Sequence, residues 1–382
     1  MHVVHLIARL NDGGPARAIH ALVDALVASG SSCRITVLAG ACGADERDLT
    51  PQLRAGGITV TLIPALMRPV SPWGDLRAFL AIRRQLRHLA PDLVHTHTAK
   101  AGALGRLACR SLGIPCLHTY HGHVLQGYFS PGVSQLVAMA ERLLAGDAHH
   151  HALTASQHRD LHLHARIGRR ARWHVAALPI PMVQPREALW QRGLRPGVPV
   201  IGFLGRLTAI KDGMLWLEML AQAQAQSQAQ SQAQVEHRTA VQGLICGDGD
   251  QRPALEARSR ELGVTVLFTG FVPAGEALAA MAVLVMTSRN EGLPFAAVEA
   301  AGAGVLVVAP RVGGLRDWID RGGAVGAPRT APGLARAVVA LLADPVRSAR
   351  QRARAQALAG GLAPGHIGAG YERIYRSIVH PA

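Results

Sequence analysis

Short apolar runs alternate with amphipathic segments along most of the chain. The first series reads HVVHLIA, a glycine turn NDGGPAR, the amphipathic AIHALVDALVASG, and a second apolar run, CRITVLAG. A strand, a turn, a helix and a strand in this order form a βαβ unit, so the pattern predicts a parallel sheet. The alternation continues through ITVTLIPA, DLVHTHTA and PCLHTYHGH. We therefore predict a doubly wound α/β domain over residues 1–182.

A proline-rich segment separates this series from a second one. Residues 178–199 read LPIPMVQPREALWQRGLRPGVP, which is typical of an interdomain connection. The runs VIGFLGRL, GLICGDGD, VTVLFTGFV and GVLVVAP then resume the alternation. We predict a second α/β domain over residues 183–365, followed by a last helix at residues 366–382 that crosses back to the first domain.

Residues 221–234 read AQAQAQSQAQSQAQ and lack an apolar stripe. This composition favours a solvated helix extension or a mobile loop over a binding element.

Length and composition agree with this organisation. The 382 residues exceed the usual size of a single core, and 49% apolar with 17% charged residues indicates a globular protein. The N-terminal text lacks the basic and apolar regions of a signal peptide. No apolar run approaches the roughly 18 to 20 residues of a membrane span. We therefore expect a cytoplasmic protein.

Charge and cysteine content narrow the chemistry. Five scattered cysteines without a CxxC spacing predict neither a disulfide framework nor a zinc site. The formal charge of +15 points to an anionic partner: a phosphorylated ligand, a nucleic acid or an acidic membrane surface.

Two carboxylates, Glu291 and Glu299, enclose the otherwise uncharged text of EGLPFAAVEA. The preceding run AVLVMTSRN predicts a buried strand, and Pro294 suits the first turn of the next helix. Glu291 is thus predicted in the loop at the carboxyl end of a strand and Glu299 in the helix that follows, where open α/β sheets bind ligands. One acid would bind a hexose and the other a ribose. The alternative is that Glu291 caps the helix and Glu299 pairs with a surface arginine.

This segment resembles the E-x7-E signature of the retaining glycosyltransferases of family 4 (group 1). Companion motifs follow in the family's order: GGPAR, VHTHTAKAGALGRLACRSLGIPCLHTYHGH, GRLTAIKD, CGDGD, TGFV and VGGLRDWI. The histidine-rich motif is similar to the bacterial branch that builds capsule, exopolysaccharide and O-antigen chains. The resemblance implies the GT-B fold, with two facing Rossmann-like domains, parallel sheets and an interdomain cleft.

The resemblance also assigns the residues of a donor site in the second domain. Arg206 and Lys211 match the cations that hold the donor diphosphate and stabilise it as it leaves, which suits charge-assisted hydrogen bonds to phosphate. A solvated basic face is the alternative for these two.

The two acids have separate roles in the resemblance. Glu291 matches the acid that contacts donor-sugar hydroxyls, and Glu299 the acid that binds the ribose. Gly292 and Leu293 lie between them and are added to the predicted donor site.

The first domain contributes further candidates. Gly13 and Gly14 follow the first strand, where backbone can approach a phosphate or a sugar closely. His121 matches the family histidine near the transferred sugar, and we count it as catalytic with Arg206, Lys211 and Glu291. Lys100 and His123 are assigned to the acceptor site, although Lys100 could simply rest in solvent.

Histidines crowd one predicted sheet edge and raise the question of a metal. They are His95, His97, His118, His121 and His123. Neither cysteine nor aspartate accompanies them, and hydrogen-bonded core histidines are commoner than metal sites. We predict no metal and no cofactor. The run DAHHHALTASQH is placed at the surface or at a strand entry.

Two positions depart from the family's usual residues: Asp212 stands where glycine is common, and Leu306 where proline is common. Neither change removes a proposed ligand, so we expect an effect on local geometry.

The resemblance implies transfer of a hexosyl or N-acetylhexosaminyl group from a nucleotide-sugar, expected to be a UDP-sugar. The acceptor would be a glycan or a polyprenyl-diphosphate-linked chain in surface polysaccharide synthesis. A nucleotide-sugar 2-epimerase of the same fold and a nonenzymatic basic protein remain as alternatives.

Aromatic residues do not alternate with the basic ones, so we predict no nucleic acid partner. The arginine-rich text AIRRQLRHLA predicts peripheral association with the inner face of the plasma membrane.

Overall fold

The computed structural model describes residues 1–43, 46–67, 71–122, 131–146, 148–168, 172–186, 193–233 and 241–381. The chain forms two compact units, one of Met1–Ile180 with Leu362–Ala382 and one of Pro181–Gly361. The units therefore change at 180/181 and 361/362, whereas the predicted boundaries lay at 182/183 and 365/366. Ile180 N–H donates to the Leu362 carbonyl at 2.8 Å, which joins the two segments of the first unit where the chain leaves it and returns.

The described part of the first unit contains a sheet of seven parallel strands in the order β3-β2-β1-β4-β5-β6-β7. The strands are β1 (His2–Ile7), β2 (Arg34–Ala39), β3 (Thr59–Leu62), β4 (Leu93–His97), β5 (Cys116–Tyr120), β6 (His149–Ala152) and β7 (Trp173–Val175). The helices are α1 (Gly14–Ala28), α2 (Thr50–Ala55), α3 (Pro72–Leu89), α4 (Ala99–Leu112), α5 (Pro131–Ala145), α6 (Ala155–His158), which a π-helical turn (Arg159–His164) extends, and α14 (Pro364–Val379).

The second unit has six parallel strands among its described residues, in the order β10-β9-β8-β11-β12-β13. They are β8 (Val200–Leu204), β9 (Gln242–Cys246), β10 (Val266–Gly270), β11 (Val283–Val285), β12 (Leu306–Pro310) and β13 (Val325–Ala327). The helices are α7 (Gly213–Ala233), α8 (Arg252–Glu261), α9 (Ala274–Ala279), α10 (Phe295–Gly302), α11 (Leu315–Asp320), α12 (Ala331–Leu342) and α13 (Pro345–Gly360). The alanine and glutamine segment extends α7 as far as Ala233.

Strand order reverses once in each sheet. In the first sheet β1 lies between β2 and β4, and in the second β8 lies between β9 and β11. The loops that leave β1 and β4, or β8 and β11, run to opposite sides of their sheet. A crevice therefore opens at the carboxyl ends of these strands, and open α/β sheets bind ligands there.

Local sequence explains most element boundaries. The strands β1, β4, β5, β9 and β12 are buried along their whole length, as expected for parallel strands covered on both faces. Side-chain caps start several helices: Ser71 Oγ accepts from Gly74 N–H, Thr330 Oγ1 from Gly333 N–H, and Asp344 Oδ1 from Arg347 N–H. No helix in the described ranges combines the length and the hydropathy needed to cross a bilayer.

The last helix belongs to the first unit. α14 packs along α1 and places Tyr371 and Tyr375, both essentially fully buried, over the sheet. Gly368 allows the close approach, because a Cβ there would lie 2.1 Å from the Ala25 carbonyl oxygen.

The interior of the first sheet is unusually polar. His5, His95, His97, His150 and His151 each have no exposed surface. The run DAHHHALTASQH was expected at the surface or at a strand entry, and that expectation is wrong for its centre. His150 and His151 lie within β6 because β6 sits between β5 and β7, under cover on both faces.

The burial of these neutral histidine rings predicts that acid lowers the stability of the folded protein. Burial lowers the pKa of His5, His150 and His151 to about 3. In the unfolded chain they titrate near pH 6.5, so below that pH the unfolded state binds more protons than the folded state. Their contribution to stability is complete above pH 6.5 and is lost as the pH falls towards 3, at about 1.4 kcal/mol per pH unit for each ring.

We therefore expect the free energy of unfolding, measured by urea titration, to fall steeply between pH 6.5 and 5. His151→Gln should reduce the slope by about one proton, because Gln does not titrate. A free energy of unfolding that stays constant from pH 7 to 5 would contradict the buried neutral network.

Candidate active site

The crevice of the second sheet brings together two of the predicted donor-site residues. Lys211 ends the loop that follows β8, and Glu291 lies in the loop that follows β11. Lys211 Nζ donates to Glu291 Oε1 at 2.5 Å, and Ser288 Oγ donates to the same oxygen at 2.6 Å. The Lys211 and Glu291 side chains retain 28% and 11% of their exposure, so a ligand can still reach them.

Glu291 does not cap α10. Pro294 is the N-cap residue, not part of the first turn as predicted, and no side chain caps this helix. The Glu291 carboxylate is instead held by Lys211 and Ser288.

Backbone contacts fix the Glu291 loop from the other side. Gly314 N–H donates to the Glu291 carbonyl oxygen at 2.9 Å. Gly313 has φ +47°, and a Cβ at this position would lie 2.1 Å from the same oxygen. The first glycine of GGLRDWI, Gly313, is therefore required by the close approach of the Glu291 loop.

Arg329 fastens the Lys211 loop to the Glu291 loop. Its guanidinium bonds to the Asp212 carboxylate through Nη2, and its Nε donates to the carbonyls of Thr287 and Ser288 at 3.2 and 3.3 Å. Thr287 Oγ1 also donates to the Lys211 carbonyl at 2.8 Å. These contacts position the ammonium before any ligand arrives.

Asp212 explains one departure from the family's usual residues. Its φ is +52°, in the left-handed region that glycine adopts most easily. The aspartate accepts this conformation while its carboxylate binds Arg329 and Arg289. The sequence singles out Asp212 but neither Arg329, which is distant in sequence from the loops it contacts, nor Ser288, whose hydroxyl carries no signature although it lies three residues before Glu291.

Glu299 is inside the protein. It lies in α10 with 1% of its surface exposed, so the alternative of a surface ion pair is wrong. Gly292 and Leu293 are also buried. Arg206, by contrast, is exposed immediately after β8, and no ion-pair partner is found for it in the described ranges.

The candidates of the first unit lie at the crevice of the first sheet. Gly13 is the N-cap residue of α1 and Gly14 its first residue. A Cβ at Gly13 would come no closer than 3.5 Å to Asn11 Oδ1, so the protein itself does not require glycine there. Arg17 in α1 forms an ion pair with Asp12 at 3.9 Å.

Thr98, which sequence reasoning missed, joins β4 to α4 with φ +64° and ψ 158°. This region costs a non-glycine residue about 1–3 kcal/mol. Ala8 N–H donates to Thr98 Oγ1 at 3.4 Å and links the loops that leave β1 and β4.

The two acceptor-site candidates have different outcomes. Lys100 lies in the first turn of α4, which begins at Ala99. Its ammonium donates to the Met67 carbonyl at 2.8 Å and forms an ion pair with Asp75. Its acceptor role stays a prediction, and His123 lies outside the described residues.

His121 follows β5 directly and is partly exposed. Its Nε2 lies 2.8 Å from His97 Nδ1, and His97 Nε2 lies 3.0 Å from His5 Nδ1. Burial lowers the pKa of His121 to about 3, so this ring is neutral near pH 7.

Ring nitrogens of His5, His95 and His97 lie within 4.8 Å of one another, close enough to raise the metal hypothesis again. Hydrogen bonds already engage both nitrogens of His95 and of His97, through Tyr375, Thr119, His5 and His121. In the described residues the trio is thus organised by hydrogen bonds.

The second unit's arrangement suits a phosphorylated sugar. Lys211 offers a positioned ammonium, Arg206 an exposed guanidinium, and Glu291 a carboxylate whose second oxygen can accept from a hydroxyl.

Two family models match the chain. Residues 13–179 match a model described as a glycosyl transferase 4-like domain, and residues 198–344 match a model described as glycosyl transferases group 1. Together they cover most of both compact units.

Among curated relatives, the chain is similar to a 2-deoxystreptamine N-acetyl-D-glucosaminyltransferase of Streptomyces fradiae. They are 32% identical over 265 residues, which is 64% of this chain and 60% of that protein. A UDP-Gal:alpha-D-GlcNAc-diphosphoundecaprenol alpha-1,3-galactosyltransferase of Escherichia coli is 38% identical over 65 residues, 17% of each chain. The chain thus spans less than two thirds of the length of these relatives.

Among solved structures, HepE from Anabaena in complex with UDP and glucose has a TM-score of 0.78 and 22% identity. The match covers 99% of this chain and 100% of that one. At 22% identity, this structural similarity shows that the two chains share a fold.

The Gly313 contact generates a stability prediction. Gly313→Ala should lower the free energy of unfolding by at least about 2 kcal/mol, because it combines a left-handed φ with a clash against the Glu291 carbonyl. Gly370→Ala is the matched control: this glycine lies in α14 with open space around its Cβ position, so alanine should stabilise by about 0.5–1 kcal/mol. Urea titrations measure both, and equal effects would show that the contact is not tight.

Proposed function

The chain belongs to the group 1, family 4-like glycosyltransferases and has their GT-B fold, and we propose that it transfers a sugar from a UDP-sugar with retention at the anomeric carbon. The observation that carries the donor site is the Lys211–Glu291 pair at the crevice between β8 and β11. A cation for phosphate and a carboxylate for sugar hydroxyls stand side by side there, held by Arg329 and Ser288.

In the proposed reaction the bond between the anomeric carbon and the diphosphate oxygen breaks. The acceptor oxygen attacks from the face that the diphosphate leaves, and its proton passes to a diphosphate oxygen. Lys211 and Arg206 stabilise the negative charge on the leaving group. Glu291 accepts hydrogen bonds from sugar hydroxyls, Glu299 binds the ribose, and Gly292 and Leu293 line the donor site. These cations supply the charge that a metal would otherwise provide, so we propose a metal-independent reaction.

We propose a hexose or an N-acetylhexosamine as the transferred sugar, and a glycan or a polyprenyl-diphosphate-linked chain as the acceptor. The names of the Streptomyces and Escherichia relatives support these classes, since one transfers N-acetylglucosamine and the other acts on a diphosphoundecaprenol substrate. A role in surface polysaccharide synthesis on the cytoplasmic side follows from such an acceptor. For the first unit we propose His121, Gly13 and Gly14 as donor-contacting residues, and Lys100 and His123 as acceptor-binding residues.

A panel of UDP- and GDP-sugars tests the donor site by binding and by slow release of free nucleotide. We expect one UDP-sugar to be bound, and Lys211→Ala and Glu299→Gln each to weaken binding at least about tenfold, because the first removes the ammonium donor and the second removes the charge of the carboxylate acceptor. Arg260→Ala, which removes an exposed cation of α8, should bind normally. Release of an epimerised nucleotide-sugar would identify a 2-epimerase instead. A folded protein that binds no donor would overturn the assignment.

Lysine content provides a second measurement. Lys100 and Lys211 are the only lysines among the 40 basic lysine and arginine side chains. Reductive methylation with ¹³C therefore yields two dimethyl-lysine signals. UDP should shift the Lys211 signal and leave that of Lys100 as an internal reference.

One exposed face of α3 suits an anionic bilayer. Trp73, Leu76 and Leu80 are 76%, 46% and 53% exposed, and the exposed Arg77, Arg84 and Arg87 continue the same side of the helix. Helix α3 thus has an apolar half that carries an indole and a basic half, as do helices that lie in the membrane interface. We propose that this α3 face holds the protein at the inner leaflet, where a polyprenyl acceptor lies.

Sedimentation with vesicles tests the α3 face. Vesicles that contain phosphatidylglycerol should retain the protein, and neutral vesicles should not. Arg77→Glu with Arg84→Glu should abolish retention, since each arginine near an anionic surface contributes about 1 kcal/mol. Arg347→Glu with Arg350→Glu on α13 changes the net charge equally and should have little effect. Equal losses in both variants would mean that only net charge matters.

A further inference from the structure

Three histidines form a continuous hydrogen-bonded row across the first sheet. His5 lies on β1, His97 at the end of β4, and His121 just beyond β5. His5 Nδ1 is 3.0 Å from His97 Nε2, and His97 Nδ1 is 2.8 Å from His121 Nε2. We call these three residues the histidine row. Each ring is neutral, because burial lowers every one of their pKa values far below neutrality.

A neutral imidazole has one N–H and one acceptor nitrogen, so each hydrogen bond in a row dictates the next. A neighbouring set of residues demonstrates this. His151 Nε2 lies 2.8 Å from the Ala176 carbonyl, which can only accept, so Nε2 carries the proton, and Tyr371 Oη at 3.1 Å accepts from the same N–H. His151 Nδ1 must then accept from Thr119 Oγ1 at 2.7 Å. Thr119 in turn accepts from His95 Nε2, and His95 Nδ1 accepts from Tyr375 Oη at 2.8 Å.

The environment of His5, at the buried end of the histidine row, determines which nitrogen of each ring donates a hydrogen bond. His5 Nε2 is buried and has no hydrogen-bond partner in the described residues. A buried N–H without an acceptor is rarer and less favourable than a buried acceptor without a donor. His5 therefore carries its proton on Nδ1 and donates to His97 Nε2. His97 then carries its proton on Nδ1 and donates to His121 Nε2.

We propose that the histidine row fixes His121 in the Nδ1–H tautomer and makes His97 and His5 positioning residues for it. His121 Nε2 is occupied by His97, and Nδ1 has no partner among the described residues. His121 thus offers one hydrogen-bond donor of fixed identity at the carboxyl end of β5. It can donate to a hydroxyl or a phosphate oxygen of a ligand, but it cannot accept a proton there.

Only the identity of the ligand that the His121 Nδ1–H contacts rests on the proposed function. The tautomer belongs to the free protein, and it can be measured without a donor.

Long-range ¹H–¹⁵N correlation spectra of protein labelled with ¹⁵N-histidine test the tautomer, because protonated and unprotonated ring nitrogens resonate far apart. The His121 signals are assigned by their loss in His121→Asn. We expect the Nδ1–H form to exceed the Nε2–H form at least about tenfold, from the unfavourable alternative of an unpaired N–H on His5. A His121 ring in the Nε2–H form would overturn the proposal.

A matched pair of variants tests the row itself. His97→Phe keeps a buried ring but removes the donor to His121, so His121 should return to a mixture rich in the Nε2–H form. His95→Phe, two residues earlier on the same strand, should leave the His121 tautomer unchanged. If His97→Phe does not fold, the wild-type spectrum alone still shows whether His121 is in the Nδ1–H form.

Activity separates the two nitrogens. The amide of asparagine stands as many bonds from Cβ as Nδ1, and that of glutamine as many as Nε2. His121→Asn should therefore retain at least about tenfold more donor turnover than His121→Gln. Equal turnover in both variants, with the Nδ1–H tautomer confirmed, would mean that Nδ1 does not meet the ligand. Absence of any donor binding in the wild type would contradict the proposed function and leave the tautomer result standing.

Discussion

A buried polar group must have a hydrogen-bond partner, and this requirement organises both units of the protein. In the first unit, histidines occupy positions in β1, β4 and β6 where parallel strands usually carry aliphatic side chains. Most of their nitrogens are engaged by one another and by Thr119, Tyr371 and Tyr375, whereas Nε2 of His5 and Nε2 of His150 have no partner among the described residues. The C-terminal helix is part of this arrangement, because α14 supplies both tyrosines. The chain must therefore return to the first unit to supply hydrogen-bond partners for the buried histidines of its sheet.

The same requirement positions the Lys211 and Glu291 side chains of the second unit. Lys211 and Glu291 stand on loops from neighbouring strands, and each would move freely without other contacts. Arg329 binds Asp212 beside the lysine and the carbonyls just before Glu291, while Ser288 holds the carboxylate. A preorganised cation stabilises developing charge more effectively than one that must reorient during the reaction. The contacts around the pair thus matter as much as the pair itself.

The sites of the two units differ in electrostatics. Around Lys211 the charges are paired and retain contact with solvent, which suits a ligand with a diphosphate. The histidine row contains no charge near pH 7, because desolvation keeps its rings neutral.

The sequence by itself determined the fold class and the order of elements. Alternating apolar runs and amphipathic segments predict parallel α/β units, since a buried parallel strand and an amphipathic helix have different periods. Lys211, Glu291 and Glu299 were found by their local motifs, and both glutamates lie in the predicted types of element. Only the tertiary structure decided which groups meet. Arg329 lies far from Lys211 along the chain. The partner of His5 comes from β4, and the partners of His95 come from β5 and α14. Hydrogen bonds between distant segments depend on strand order and register, which periodicity does not contain.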